Sequence, residues 1–377
     1  MINLHIYPSP FTRESRILRE TAVIAEHCRF DRIIMVGVSA PGLPERERVD
    51  ARREIWRFPR RPAGGLVAKV LTTWSWSRLV YDAFRREPVG CVNCHSLPVL
   101  RLCVKLARAT RARLIYDTHE LETETNGLGG LRKALSKMIE RWFIRRPDAV
   151  IVVSQSIGDW YARAYRIPAP TLVLNSPVRT VTARSRVLRD SLHIADPQRI
   201  YLYLGVLAPG RGIELLCAAF DLLPAPRPAL VFMGEGVFET LIRKFAVRNP
   251  DIHLAPAVPP AEVLRCTTSA YVGLCIIENT CLSYAYCMPN KLFEYVQAGI
   301  PMICSNLPEL RRVVETDRVG LLATPLTAPA LAEAVLAMEA RPPGDFAAAL
   351  AAAAAKYDWA EQAETLRALY RRLGFLR

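Results

Sequence analysis

Short apolar runs alternate along the chain with longer stretches whose apolar positions recur every three or four residues. The runs predict buried strands and the longer stretches amphipathic helices. Strands are expected over 2–7, 32–38, 54–58, 91–94, 113–118, 149–154 and 171–175, and helices over 12–27, 65–85, 97–108, 131–146 and 155–165. Alternation of this kind implies a parallel sheet with helices on both faces.

The periodicity lapses near 176 and the chain turns polar and basic, which reads as a linker over 177–198. A second set follows, with strands over 199–206, 229–234, 252–255, 271–277, 301–305 and 320–323. Helices are expected over 213–223, 238–249 and 260–267, and from 323 to the end, with the alanine run 347–355 helical. The expected fold class is α/β, two doubly wound Rossmann-like domains facing a cleft. Residues 1–176 form the first domain and 199–358 the second. Ligands of open α/β sheets bind outside the carboxyl ends of the strands, which points to the cleft.

The stretch MPNKLFEYVQAGIPMICSNLPE, 288–309, concentrates the candidate chemistry. Pro289 suits the first position of a helix, where a missing N–H costs nothing. Gly299 suits its end. The open N–H groups of the first turn, from Asn290 on, favour an anion, and Lys291 adds a full charge. Asn290 and Glu294 share a face. A phosphate site with a carboxylate one turn away fits a nucleotide, diphosphate first and ribose next. A surface helix with an ordinary polar pair fits the same residues.

The chain has 377 residues and a formal charge of +14. That excess calls for an anionic partner: nucleic acid, an anionic membrane or a phosphorylated substrate. No basic arm, zinc-finger spacing or aromatic–basic RNA motif is visible, so nucleic acid is not expected. The amino terminus reads as a strand rather than a signal peptide, and no apolar run is long enough to span a bilayer. A cytoplasmic protein with reduced cysteines is expected. Cys91, Cys94 and His95 have the haem-attachment spacing, but they follow a strand pattern without an export signal, so neither haem nor zinc is expected.

Residues 131–146 place Leu131, Leu135, Met138, Ile139, Trp142 and Phe143 on one side and basic residues on much of the rest. This suits the surface of an anionic membrane, at the inner face, or equally a core helix with a solvated basic face. Trp74 and Trp76 line an acceptor path or pack; packing is expected.

Six stretches together resemble the retaining glycosyltransferases of family 4, which have the GT-B fold. They are YDTHELETE (116–124), VIVVSQSI (150–157), YLGVLAPGRGIELL (203–216), MGEG (233–236), PNKLFEYVQAGIP (289–301) and KYDWAEQAETLRALY (356–370). The last looks like the helix that returns to the first domain, here 359–377. The resemblance spans nearly the whole chain in the family's order.

The resemblance implies a metal-independent glycosyltransferase that needs no cofactor beyond its nucleotide-diphosphate sugar substrate. It implies Lys291, Arg211 and His119 as catalytic: the two cations on the departing diphosphate, the histidine at the donor sugar. It implies donor binding by Gly205, Glu235, Glu278, Asn290, Leu292 and Glu294, with Glu294 at the ribose. Arg13, Arg16 and Glu120 are the acceptor-side candidates. Two departures stand out. The family commonly has an arginine where Val206 stands, and its first motif glutamate falls at Tyr286, with Glu278 the nearest acidic residue upstream.

The expected function is transfer of a sugar, with retention, to a hydroxyl of a glycan or lipid-linked acceptor in cell-surface polysaccharide synthesis. A nucleotide-sugar epimerase and a non-catalytic nucleotide-sugar-binding scaffold are the alternatives.

Overall fold

The structure, a computed structural model, describes residues 1–12, 14–60, 64–180, 183–342 and 344–376, without the side chains of residues 66, 67 and 69. The chain forms two compact units. The first comprises residues 1–173 and 363–377, the second residues 174–362.

Unit 1 runs β1 (Ile2–Ile6), α1 (Ser15–His27), β2 (Arg32–Val38), β3 (Arg46–Arg48), β4 (Arg53–Phe58), α2 (Leu66–Phe84), β5 (Val89–Cys94), α3 (Leu97–Thr110), β6 (Arg113–Thr118), α4 (Gly130–Phe143), β7 (Ala149–Val152), α5 (Gln155–Tyr165) and β8 (Thr171–Leu172). The strands lie in the order β3-β4-β2-β1-β5-β6-β7-β8, all parallel except the β3–β4 pair. Chain order reverses between β1 and β5. The core strands are buried on both faces, as in a sheet covered on both sides; β2 and β7 are apolar throughout, whereas one face of β1 carries Asn3 and His5. The edge strand β3, with sequence RER, has no apolar signal and was not expected.

Unit 2 contains α6 (Val187–Ser191), β9 (Ile200–Leu204), α7 (Ile213–Asp221), β10 (Ala229–Met233), α8 (Glu239–Arg248), β11 (Ile252–Ala255), α9 (Pro260–Thr267), β12 (Val272–Cys275), α10 (Leu282–Ala285), α11 (Asn290–Gln297), β13 (Met302–Ser305), α12 (Pro308–Asp317), β14 (Gly320–Ala323), α13 (Ala328–Glu339) and α14 (Ala347–Lys356). The last helix, α15 (Trp359–Arg372), begins in unit 2 and ends in unit 1. The all-parallel order β11-β10-β9-β12-β13-β14 is the doubly wound arrangement, with its switch point between β9 and β12.

Several expectations are corrected. The segment expected as a linker, 177–198, belongs to unit 2 and contains α6. Helix α1 starts at Ser15, not at 12. Pro289 is not the first helical residue but the cap before it, in extended conformation at φ −75° and ψ 147°, so α11 begins at Asn290. Gly299 follows that helix at φ +66°, where its lack of a Cβ is needed.

Helix α4 presents its apolar stripe outward. Leu131 is 86% and Trp142 64% exposed, with Leu135 and Met138 also exposed between them. The inward face is held instead by Glu140, which accepts hydrogen bonds from Tyr116 (3.0 Å), Tyr161 (2.7 Å) and Tyr165 (2.7 Å). Burial pushes this carboxyl up, and the three hydroxyls work against that rise. Among the described residues no helix is long and apolar enough to cross a membrane. Trp76 packs in the core with Nε1 donating to the Gly37 carbonyl at 3.3 Å, whereas Trp74 is exposed.

Candidate active site

In unit 2 the site begins where β9 ends. Gly205 turns the chain at φ +126°. A Cβ on Gly234, at the end of β10, would lie 1.9 Å from the Gly205 carbonyl oxygen, so only glycine there lets the two strand ends close together. Leu207 N–H donates to the Glu235 carbonyl at 2.9 Å, which completes the turn.

Helix α11 is fixed against this switch point by Tyr295. Its hydroxyl accepts from Leu204 N–H at 3.1 Å and reaches the carbonyls of Leu202 (3.0 Å) and Leu274 (3.2 Å). One turn earlier on the same face, Lys291 is held beneath the Gly205 turn. It is 7% exposed, its Nζ lies 3.6 Å from the centre of the Tyr203 ring, and that Nζ is buried without a hydrogen-bond acceptor. A buried ammonium whose neighbours are an aromatic face and a glycine turn is suited to an incoming anion.

Arg211 provides a second cation, its guanidinium 4.4 Å from the centre of the Tyr284 ring on α10. Glu278 fixes the loop that carries it. Its carboxylate accepts from Gly212 N–H at 3.1 Å, at the start of α7, and its own N–H donates to the Gly210 carbonyl at 3.0 Å. Glu278 was expected at the donor; the structure gives it a capping bond that holds the Arg211 loop. Leu292 was expected there too, but its side chain lies in the core and its N–H donates to the Pro289 carbonyl. Asn290 is exposed and accepts from Asn175 Nδ2 at 2.6 Å. Glu235 is exposed and Glu294 partly so. Val206 is 61% exposed at the tip of the turn.

In unit 1 a second group gathers at the switch point between β1 and β5. His119 follows β6 and is a quarter exposed. Its Nε2 lies 3.4 Å from Asp117 Oδ2 and 3.2 Å from His95 Nδ1. The Arg16 guanidinium binds Asp117 through two N–H groups, at 3.0 and 3.2 Å, and donates to the Val173 carbonyl at 2.9 Å. Arg16, expected on the acceptor side, is therefore buried and committed to Asp117. Glu120 is exposed, and Arg13 lies outside the described residues.

Burial would raise the Asp117 carboxyl, but Arg16 and the two histidines hold it well below the usual carboxylate range. Glu20, 3.0 Å from Arg16 Nε, is pushed the other way, up to about 8, first by burial and then by the Asp117 charge. The two neighbouring carboxyls are thus shifted in opposite directions. Three ligand atoms of His95, Asp117 and His119 converge closely enough to hold a metal, as do those of His5, Glu20 and His95. Arg16 already neutralises Asp117, and a dication beside it would meet that charge.

His5, in β1, was not anticipated as a site neighbour. Cys91 and Cys94, the other members of the haem-like motif, are buried in β5 with free thiols.

The sequence profile of Glycosyltransferase Family 4 matches residues 17–180, and that of Glycosyl transferases group 1 matches residues 198–340. The chain belongs to the family 4 glycosyltransferases. No curated protein sequence matches it significantly. Among solved structures, sucrose-phosphate synthase from Thermosynechococcus elongatus is similar at a TM-score of 0.82 and 18% identity, covering 99% of each chain. The Anabaena protein HepE in complex with UDP-glucose is similar at 0.76 and 14%, covering 99% of this glycosyltransferase and all of that chain (100%). WaaG, a glycosyltransferase involved in lipopolysaccharide biosynthesis, is similar at 0.69 and 14%, covering 98% and 99%. At these identities the likeness carries the GT-B fold.

Proposed function

We propose that this glycosyltransferase moves a sugar from a nucleotide-diphosphate sugar to a hydroxyl of a glycan or lipid-linked acceptor, with retention, in cell-surface polysaccharide synthesis. The observation that carries the reading is the buried Lys291 ammonium beneath the Gly205 turn, with no acceptor of its own. A diphosphate there offsets a desolvation cost of several kcal/mol that the protein otherwise bears. The bond from the anomeric carbon to the diphosphate breaks with its electron pair on phosphate. The acceptor oxygen bonds to the same face of the sugar. Lys291, Arg211 and the first turn of α11 stabilise the developing charge, a task for which a divalent ion is not required. Glu294 takes the ribose, and His119 a hydroxyl of the donor sugar.

The UDP-glucose complex of HepE and the lipopolysaccharide role of WaaG point to the same substrate classes. The outward apolar stripe of α4, with Arg132 and Arg141 beside it, suits the inner face of an anionic membrane, where a lipid-linked acceptor is met. A scaffold that binds nucleotide sugar without transferring it is the second reading, favoured by the exposed Val206 in the phosphate turn.

The test is transfer of radiolabelled sugar from a panel of nucleotide sugars to a membrane extract, with wild type and Lys291→Met. Label entering a glycolipid or glycan with wild type alone supports the enzyme. Binding without transfer across the panel leaves the scaffold. A Leu131→Ser/Trp142→Ser variant should lose binding to anionic vesicles and keep transfer to a water-soluble acceptor.

A further inference from the structure

Helix α15 ends in a turn that folds the tail back onto unit 1. Gly374 takes φ +84°, its N–H donates to the Arg371 carbonyl at 3.0 Å, and the Phe375 N–H donates to the Tyr370 carbonyl at 2.9 Å. The turn sends Phe375 into the core against Phe30, their ring centres 4.8 Å apart. The Phe375 carbonyl accepts from Arg29 N–H at 2.9 Å, and Leu376 pairs with Cys28 in an antiparallel bridge. The tail is thereby pinned to the loop between α1 and β2. Between them lies a cavity of about 530 Å³. It sits near the amino end of β2, whereas His119 lies past the carboxyl end of β6 in the same parallel sheet. The length of a strand, about 16 Å for five residues, separates the two places.

Three guanidinium groups line this cavity, those of Arg29, Arg367 and Arg371. Arg367 and Arg371 stand one turn apart on one face of α15, where like charges repel. The carboxylates nearby are two, and both are exposed. Glu26 faces His27 at 3.7 Å, and Glu364 holds Arg367 Nη1 at 2.8 Å. Arg367 Nε is buried with no acceptor. Among the described residues Arg29 and Arg371 form no ion pair. The helix ends do not claim these arginines either. Arg52 donates to the carbonyls of Ala25, Cys28 and Phe30 at the end of α1, and the N–H groups of Gly374 and Phe375 take those of Arg371 and Tyr370. An anion in the cavity would offset the repulsion and satisfy the open donors.

We propose that the cavity between α15 and the α1–β2 loop binds the phosphate monoester of a small sugar or polyol, its phosphoryl group held by Arg29, Arg367 and Arg371. A terminal phosphoryl group presents three acceptor oxygens, one for each guanidinium; a carboxylate has two. The volume is that of a small-molecule site, far more than a bare phosphate fills. Among the described residues no Phe, Tyr or Trp lines it, so a nucleobase has no such ring to stack on, whereas hydroxyls have Glu26 and His27 to bond. This site is independent of the donor site at Lys291.

The experiment is titration calorimetry of the full chain with glucose 6-phosphate and glycerol 3-phosphate, in a Lys291→Met background that removes the donor-site cation. At least one should bind, and glucose and glycerol should not. Arg29→Gln/Arg371→Gln removes two exposed side chains and should fold, as a thermal melt checks; it should weaken binding by about tenfold or more. Arg372→Gln, exposed and outside the cavity, should change it less than about twofold. No binding of either ester at about 10 mM, equal binding by the folded double variant, or an equal loss in Arg372→Gln would overturn the proposal. Vesicles of phosphatidic acid form a second arm, since that headgroup is also a phosphate monoester. Attachment to them that is lost in the double variant, with neither soluble ester bound, would assign the cavity to lipid and overturn the soluble ligand.

Discussion

The Lys291 ammonium lies 3.6 Å from the centre of the Tyr203 ring, and the hydroxyl of the same tyrosine donates to the Val206 carbonyl at 3.0 Å. One side chain thus supports both the candidate phosphate cation and the glycine turn above it. Tyr203→Leu removes both supports. A desolvated cation–π contact is worth about 2 kcal/mol, so nucleotide diphosphate should bind about 30-fold more weakly. Tyr203→Phe keeps the ring and loses only the turn bond, a change of about 1 kcal/mol. Titration calorimetry checks the order; equal affinity in Tyr203→Leu contradicts it.

Glu278 separates a capping role from a donor contact. Glu278→Gln keeps an oxygen that can accept from Gly212 N–H, and should retain stability and donor affinity. Glu278→Ala removes the cap, at a cost of about 1 kcal/mol, and loosens the loop that carries Arg211. Denaturant unfolding and donor titration of both variants measure this. If Glu278→Gln raises the donor KM as much as Glu278→Ala, the carboxylate touches substrate after all.

The alternating sheets, the order of elements in each half and the Lys291 helix could be read from periodicity and motif. The roles of Leu292 and Glu278 could not. Leu292 sits one residue beyond Lys291 in the motif, but a helix turns 100° per residue and sends it into the core. Glu278 lies near the missing motif glutamate in sequence, yet its carboxylate is drawn to an open N–H at the start of α7. The histidine cluster was harder still. Positions 5, 95 and 119 are neighbours only because the sheet places β1 beside β5 and β5 beside β6. A predicted doubly wound order, with a histidine in β1 and one just past the ends of β5 and β6, is the signal that would have found it.

The buried His95 should leave a signature in acid stability. Its folded value is about 4 against an ordinary 6.5. Between those values the unfolded chain binds a proton that the folded chain does not, so stability falls as pH falls from 6.5 towards 4, by about 3 kcal/mol. Glu20, raised to about 8, acts oppositely, reducing stability as pH rises from its ordinary carboxyl value towards 8. His95→Gln should flatten the acid limb and leave the Glu20 limb. Urea unfolding across pH 4 to 8 reads both slopes; an acid limb as steep in the variant as in wild type contradicts the neutral, buried imidazole.

The most direct test of a donor site at the start of α11 is thermal stabilisation by UDP, GDP, ADP and CMP, with matching nucleosides, in wild type and Lys291→Met. The methionine keeps the packing over Tyr203 and removes the charge. One nucleotide, at about 100 times its Kd, should stabilise wild type by about 2.7 kcal/mol, its nucleoside far less, and the variant scarcely at all. Equal stabilisation of wild type and Lys291→Met, or none of wild type by any nucleotide, would contradict the account.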